Sequence, residues 1–176
     1  DFYNVSCDYL LGRSPERNGA TLQMEDIPEA ENGEKNNRMR GSILPTLNKK
    51  LIFNSLNILF DLLQKLNCTE MTKGVSDFLM LSVYRMFRIV YSVNHKNEQN
   101  FFQVPKYLSA PKAVAAMVEI EAEAAALADG AAGGKLITPE DRERMVLTSE
   151  SLAAAYPMYN SSLLNLIKNS EHKLEK

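Results

Sequence analysis

Apolar residues recur at three- and four-residue steps between residues 46 and 67, just after Pro45. This spacing predicts an amphipathic helix with one buried face. The polar residues of the stretch mark the opposite side: Lys50, Asn54, Asn57, Asp61 and Gln64. Three further apolar residues widen the stripe, Ile52, Phe53 and Phe60. We therefore expect this helix to contact neighbours on two sides.

Residues 72–93 predict a second long helix, with Thr72 as its N-cap. When the residues are placed at about 100° steps around a helix axis, the polar side chains occupy one arc of less than half the circumference. These side chains are Asp77, Ser82, Arg85, Arg88 and Ser92. Apart from Thr72, Lys73, Gly74 and Ser76 at the start of the stretch, the remaining positions are apolar or aromatic. A helix that is apolar over most of its circumference is central in a bundle or covered by a partner.

The C-terminal part of the chain predicts three more helices. The first is alanine-rich and covers 110–129, between Ser109 as a candidate cap and Gly130 as a stop. Thr138-Pro139 starts the next, which we expect to continue to about Tyr156, and Asp141 approximates the acidic residue of a capping box. The last covers residues 160–174.

The N-terminal quarter differs in kind. Residues 1–11 predict a short segment that can form a helix, and residues 12–44 are polar, rich in turn residues and without apolar period. Such a segment cannot bury enough surface to offset its ordering entropy, so we predict a flexible linker or regulatory loop. The helical domain is predicted over 45–176.

The fold class predicted from these patterns is all-α. No stretch of strand length alternates between apolar and polar residues. We expect about five helices in an irregular bundle or a short helical-solenoid fragment, with a flexible polar loop near the N-terminus.

Composition narrows the classes of function. The chain has 176 residues, 45% of them hydrophobic, and a formal net charge of −2. That balance argues against nucleic-acid binding, which needs a basic excess. The most apolar run, 75–93, carries three charges, so we predict no transmembrane span. Two cysteines, Cys7 and Cys68, favour reduced thiols and a cytoplasmic location.

No motif predicts a catalytic, cofactor-binding or metal-binding residue. Gly130 and Gly134 are too close together for a phosphate-binding loop, and Leu136 follows the lysine where such a loop needs Ser or Thr. His95 and His172 have no cysteine or carboxylate at metal-ligand spacing. We expect no cofactor.

Two pairs of residues are candidate functional positions. Arg85 and Arg88 lie one helical turn apart among aromatic residues and could anchor an acidic partner, or pair with Asp61 or Asp77, or simply face solvent. Ser14 precedes a proline and Ser42 follows two arginines, which makes both candidate phosphorylation sites.

The wide apolar stripes favour a non-enzymatic helical module for protein–protein interaction or scaffolding. We expect a fragment or subunit of a larger assembly, with a protein partner or self-association. Two alternatives stay open: a ligand-binding or enzymatic helical domain with an interhelical pocket, and a helical coat or nucleoprotein-like subunit.

Overall fold

A computed structural model describes residues 44–130 and 137–175 of the chain. This part contains six α-helices and no β-strand, which confirms the all-α prediction. The helices are α1 (Leu44–Leu66), α2 (Thr69–Tyr91), α3 (Lys106–Asp129), α4 (Pro139–Arg144), α5 (Ser149–Ala155) and α6 (Asn160–Leu174), with one 3₁₀ turn at Gln99–Phe101. None of these helices is both long enough and apolar enough to cross a membrane.

Several predictions concern residues outside the described ranges. These are the N-terminal segment 1–11, all of the polar stretch 12–44 except Leu44, and the candidate phosphorylation sites Ser14 and Ser42. The chain divides into two compact units, Asp1–Leu62 with Met145–Lys176, and Leu63–Arg144. The predicted domain boundaries stay a prediction.

In the first unit, α1 buries Ile58 completely, and α5 contributes the buried Leu152. Asn54 is also buried, 2% exposed, and its Nδ2 donates a hydrogen bond of 3.0 Å to Oγ of Ser162, which is 0% exposed. The expectation that Asn54 lies on a polar outer side of α1 is therefore wrong. A buried amide is tolerated here because its partner satisfies it.

The stretch after Thr138 forms two short helices rather than one. Thr138 caps α4 as predicted: the backbone N–H of Asp141 donates to its Oγ1 at 3.1 Å, and Oδ2 of Asp141 accepts the backbone N–H of Thr138 at 3.2 Å. A second capping box follows, because Thr148 and Ser151 exchange the same two bonds at 3.1 and 2.8 Å. The expected continuous helix to Tyr156 is wrong, since the Thr148 box starts a new helix.

The second unit begins with the last turn of α1, at Leu63. Asn67 follows α1 with a φ of 51°, in the left-handed region that commonly terminates helices. Cys68 is the N-cap of α2, and no side-chain hydrogen bond caps it. The prediction that Thr72 caps this helix is wrong: Thr72 lies in the first turn, and its hydroxyl donates to the Cys68 carbonyl at 2.9 Å.

Helices α2 and α3 pack against each other within this unit. Small residues permit the close approach: a Cβ added to Gly74 of α2 would meet Cγ2 of Ile120 of α3 at 3.6 Å, and Ala113 of α3 is buried. α3 starts earlier than predicted, at Lys106, so Ser109 lies inside the helix. It ends as predicted at Gly130, whose φ is 79°.

Candidate functional site

Helix α2 packs on its polar side and exposes its apolar side. All five residues of the polar arc predicted from the sequence are half-buried: Asp77, Ser82, Arg85, Arg88 and Ser92. No residue of this helix is fully buried. From Met80 to the end of the helix every exposed side chain is a large hydrophobic: Met80, Val83, Met86, Phe87, Ile89 and Val90, continued by Val93 just after the helix. We call these seven side chains the outer face.

Contacts with α3 show that the polar arc is the packed side. Nη1 of Arg85 lies 3.8 Å from Sδ of Met117 on α3, and Gly74 lies against Ile120 on the same helix. The hydroxyl of Ser82 is satisfied within α2, because it donates to the Phe78 carbonyl at 2.9 Å. The packed side is thus made from small residues and from long side chains whose stems can lie along apolar surface.

Arg88 is the most constrained side chain of the arc. Its Nη1 donates to the Tyr84 hydroxyl at 2.6 Å and to the Val104 carbonyl at 2.9 Å. Its guanidinium carbon lies 4.2 Å from the centroid of the Phe102 ring and 5.5 Å from that of Tyr84. Hydrogen bonds and cation–π contacts therefore fasten the segment after α2 to the helix.

The aromatic side chains around Arg88 form one cluster. Tyr91 meets the Phe102 ring edge-to-face with centroids 5.3 Å apart, and Phe101 in the same manner at 5.8 Å. Phe87 belongs to the same cluster, because its ring centroid lies 5.6 Å from that of Tyr91. Tyr91 also donates its hydroxyl to the Glu98 carbonyl at 2.9 Å. These contacts fix the connection between α2 and α3 and shape the surface beside Arg88.

A cavity of about 170 Å³ opens between α2 and the start of α3. Among the described residues, its lining includes three cationic side chains, Arg85, Arg88 and Lys106, and no carboxylate. Three aromatic rings form its walls: Tyr84, Tyr91 and Phe102. We call it the cationic cavity. Ile89 of the outer face also lines it, so the cavity and the outer face are continuous.

A second cavity of about 460 Å³ shares Tyr84, Phe102 and Ser109 with the first. The rest of its lining is mainly apolar and includes Leu81, Val104 and Ala116. Lys112 supplies the charge of this lining. This cavity is large enough for a small molecule, since such sites usually measure about 300–1,000 Å³.

The structure brings together the two arginines singled out from the sequence and shows how each is held. Neither forms an ion pair with a described residue of its own unit, so the alternative of pairing with Asp77 is not found. Asp61 lies in the other unit, where it accepts a hydrogen bond from the Tyr156 hydroxyl, and pairing with it stays a prediction. Sequence reasoning missed Phe102 and Lys106, because their proximity to α2 depends on the turn that precedes α3.

Other reactive side chains are dispersed. Cys68 is buried with a free thiol, and its Sγ lies 3.7 Å from Oε2 of Glu70. Across the ranges 44–130 and 137–175, no three His, Cys, Asp or Glu side chains are placed to hold a metal ion. The two cavities and the outer face are therefore the candidate binding surfaces of the described residues.

Comparison with known proteins adds no relative: no family model, curated protein or solved structure matches the chain.

Proposed function

We propose that this chain is a non-enzymatic helical module for protein–protein interaction or scaffolding, and that the outer face of α2 is its binding surface. The observation that carries the proposal is the exposure of that face. Met80, Val83, Phe87 and Val90 follow one another at steps of three and four residues, so they form one stripe along the helix. A helix-wide apolar stripe open to water is the form of site that receives a partner helix.

The size of the outer face supports the proposal. From their fractional exposures, its seven side chains leave on the order of 700–800 Å² accessible, about what one partner contributes to an interface of standard size. Single scattered hydrophobics on a surface need no explanation, whereas a contiguous patch of this size marks an interaction site.

The numbers of buried and exposed apolar residues also support an interaction module. Eight apolar residues are buried in the described part of the chain, while twenty large hydrophobics there are exposed. A domain that hides so little of its apolar surface gains stability when a partner covers the remainder. Such exposed apolar surface is expected of a fragment or subunit of a larger assembly, where a neighbouring chain covers it. Phosphorylation of Ser14 and Ser42 and a cytoplasmic location stay predictions.

The test compares two triple variants of the whole chain. The outer-face variant carries Met80→Gln, Val83→Thr and Val90→Thr, at positions 61–69% exposed. The matched control carries Met158→Gln, Val118→Thr and Val146→Thr, at positions 57–64% exposed. Solution mass by light scattering and uptake of a hydrophobic dye are measured for both variants and for the unmodified chain over a range of protein concentrations.

We expect the unmodified chain to bind dye or self-associate, and the outer-face variant alone to lose that property. Circular dichroism checks that both variants keep their helices. A chain that stays a monomer and binds no dye at high concentration would contradict the proposal. So would equal losses in the two variants, because they would show that general surface hydrophobicity is responsible.

The second candidate function is a ligand-binding domain, favoured by the 460 Å³ cavity. A small molecule enclosed there would lie against Tyr84 and Phe102 and would stabilise the folded state by mass action. Thermal unfolding in the presence of a metabolite library tests this function. A stabilising compound whose effect is lost on Ala116→Leu, which narrows the cavity, would favour it over the first proposal.

A further inference from the structure

We propose that the cationic cavity binds the carboxylate of an acidic side chain carried by a partner helix that docks on the outer face. The inference rests on the proposed function: the apolar stripe of the partner helix packs on the outer face, and its carboxylate determines which helices bind tightly. Its basis is the charge, the hydrogen-bonding capacity, the size and the position of the cavity.

The positive charge of the cavity has no carboxylate partner among the described residues of its unit. Arg85, Arg88 and Lys106 all line it, none of its lining residues is acidic, and none of the three forms an ion pair within the described ranges. Arg85 and Arg88 are half-buried. Charges held partly away from water attract an opposite charge more strongly than fully hydrated ones do. An anion is therefore the complementary ligand.

The arginines retain hydrogen-bond donors for such a ligand. A guanidinium has five N–H donors in a planar fork. Both hydrogen bonds that Arg88 makes come from Nη1, and the contact of Arg85 is to a thioether sulfur. No buried side-chain nitrogen or oxygen of the described residues lacks a partner, so the remaining arginine donors reach solvent. Such forks match a carboxylate.

The volume of the cavity favours a side chain over a free metabolite. About 170 Å³ is below the usual range of small-molecule sites, about 300–1,000 Å³. The aromatic walls suit the methylene groups of a glutamate or aspartate, and the cations suit its end. Because Ile89 lies in both the cavity and the outer face, a carboxylate at the edge of a bound apolar stripe would reach the cavity.

The experiment selects partners without presupposing their sequence. A displayed library of amphipathic helical peptides, with leucines fixed on one side and the flanking positions randomised, is selected against the whole chain. Affinities of the enriched peptides, each with its acidic residue and with the matching amide, are then measured against four variants. Lys106→Gln and Arg85→Gln remove cavity charge, Arg85→Lys keeps the charge but removes the planar fork, and Lys73→Gln is the control.

Lys73 is exposed on α2, the helix that carries Arg85, and lines neither cavity. Its substitution therefore removes one positive charge outside the cationic cavity. We expect the enriched peptides to share Asp or Glu at one position. Exchange of that residue for the amide should weaken binding about 10- to 100-fold, the range of a hydrogen-bonded charge. Lys106→Gln should abolish most of this difference, Lys73→Gln should preserve it, and Arg85→Lys should retain more of it than Arg85→Gln.

Other outcomes overturn the inference in distinguishable ways. Peptides that bind without a carboxylate, or that respond equally to Lys106→Gln and Lys73→Gln, would overturn it and leave the proposed function standing. If inorganic phosphate or acetate alone binds and Lys106→Gln abolishes that binding, a free anion is the ligand and the partner helix is overturned. Failure to enrich any peptide would overturn both proposals. Lys106 is exposed, so its variant decides the matter even if Arg85→Gln does not fold.

Discussion

Helices α1 and α2 have the same length and a similar share of apolar residues, yet they use their apolar sides in opposite ways. α1 buries Ile58, Leu63 and Leu66. α2 buries no residue fully and turns its apolar side outward. In α1 the buried polar residue Asn54 has a hydrogen-bond partner on another helix, whereas in α2 the polar arc as a whole is the packed side.

The difference shows that amphipathic pattern and burial are separate properties. α1 is stabilised within this chain by apolar packing, which is the usual arrangement for a helix of a globular domain. α2 is held by small residues, by Arg88 and by the aromatic cluster, so its apolar side remains available. The first arrangement serves stability, and the second, on our proposal, serves binding.

The largest expected effect tests the stability side of this comparison. Ile58→Ala should lower the free energy of unfolding by about 2–5 kcal/mol, because it removes a completely buried side chain and leaves a cavity. The matched substitution on α2, Val83→Ala, should change it by less than about 0.5 kcal/mol. Urea denaturation at two low protein concentrations measures both and reveals any contribution from association. Equal losses would remove the distinction between the two helices.

The next effect concerns the buried polar pair of α1. Asn54→Ala should cost about 1–3 kcal/mol, because it leaves the fully buried Ser162 hydroxyl without its partner. Asn48→Ala, at an exposed position of the same helix, is the control and should be nearly neutral. If the double variant Asn54→Ala with Ser162→Ala costs the sum of the two single changes, the pair is not coupled and this account of Asn54 is wrong.

Two glycines of the second unit allow smaller tests, one of how α2 packs against α3 and one of how α3 ends. Gly74→Ala should stabilise the chain by about 0.5–1 kcal/mol, because the helix gains a better helix former and the new methyl makes an ordinary contact with Ile120. Gly130→Ala should destabilise it by about 1–2 kcal/mol, because the φ of 79° is unfavourable for a residue with a Cβ. Thermal unfolding compares them. A destabilising Gly74→Ala would mean that α2 and α3 lie closer together than described.

The smallest effect is a pH dependence in the unit that contains most of α1. A hydrogen bond from its own backbone N–H, and a second from the Thr148 side chain, hold the pKa of the exposed Glu150 carboxyl below its ordinary value. The folded state therefore binds this proton less readily than the unfolded state. The resulting stability is present above the ordinary pKa and is lost as pH falls through the lowered one.

Urea denaturation of the unmodified chain and of Glu150→Gln measures this contribution above and below the ordinary carboxyl range. The stability difference between the two proteins should shrink at the lower pH. Glu143→Gln, outside the Thr148 capping box, serves as the control. A difference that is independent of pH would show that the capping interaction of Glu150 does not depend on its charge.

The long helices, and the angular positions of their polar and apolar side chains, could be predicted from local periodicity alone. Periodicity is a local property, so the long helices, the cap at Thr138, the stop at Gly130 and the polar arc of α2 could all be predicted. The arginine pair could be singled out for the same reason. The break before Thr148 was missed because two capping residues within a helical pattern look like ordinary polar positions.

Which side of a helix is covered depends on contacts between distant parts of the chain. Amphipathic periodicity predicts that an apolar side packs and a polar side is hydrated. Helix α2 reverses this, because the alanine-rich α3 accepts its polar arc. Asn54 is buried because Ser162, more than a hundred residues away, satisfies it. Phe102 and Lys106 join the arginines because a turn returns the chain to α2. Burial depends on what the rest of the chain brings near, which no local pattern contains.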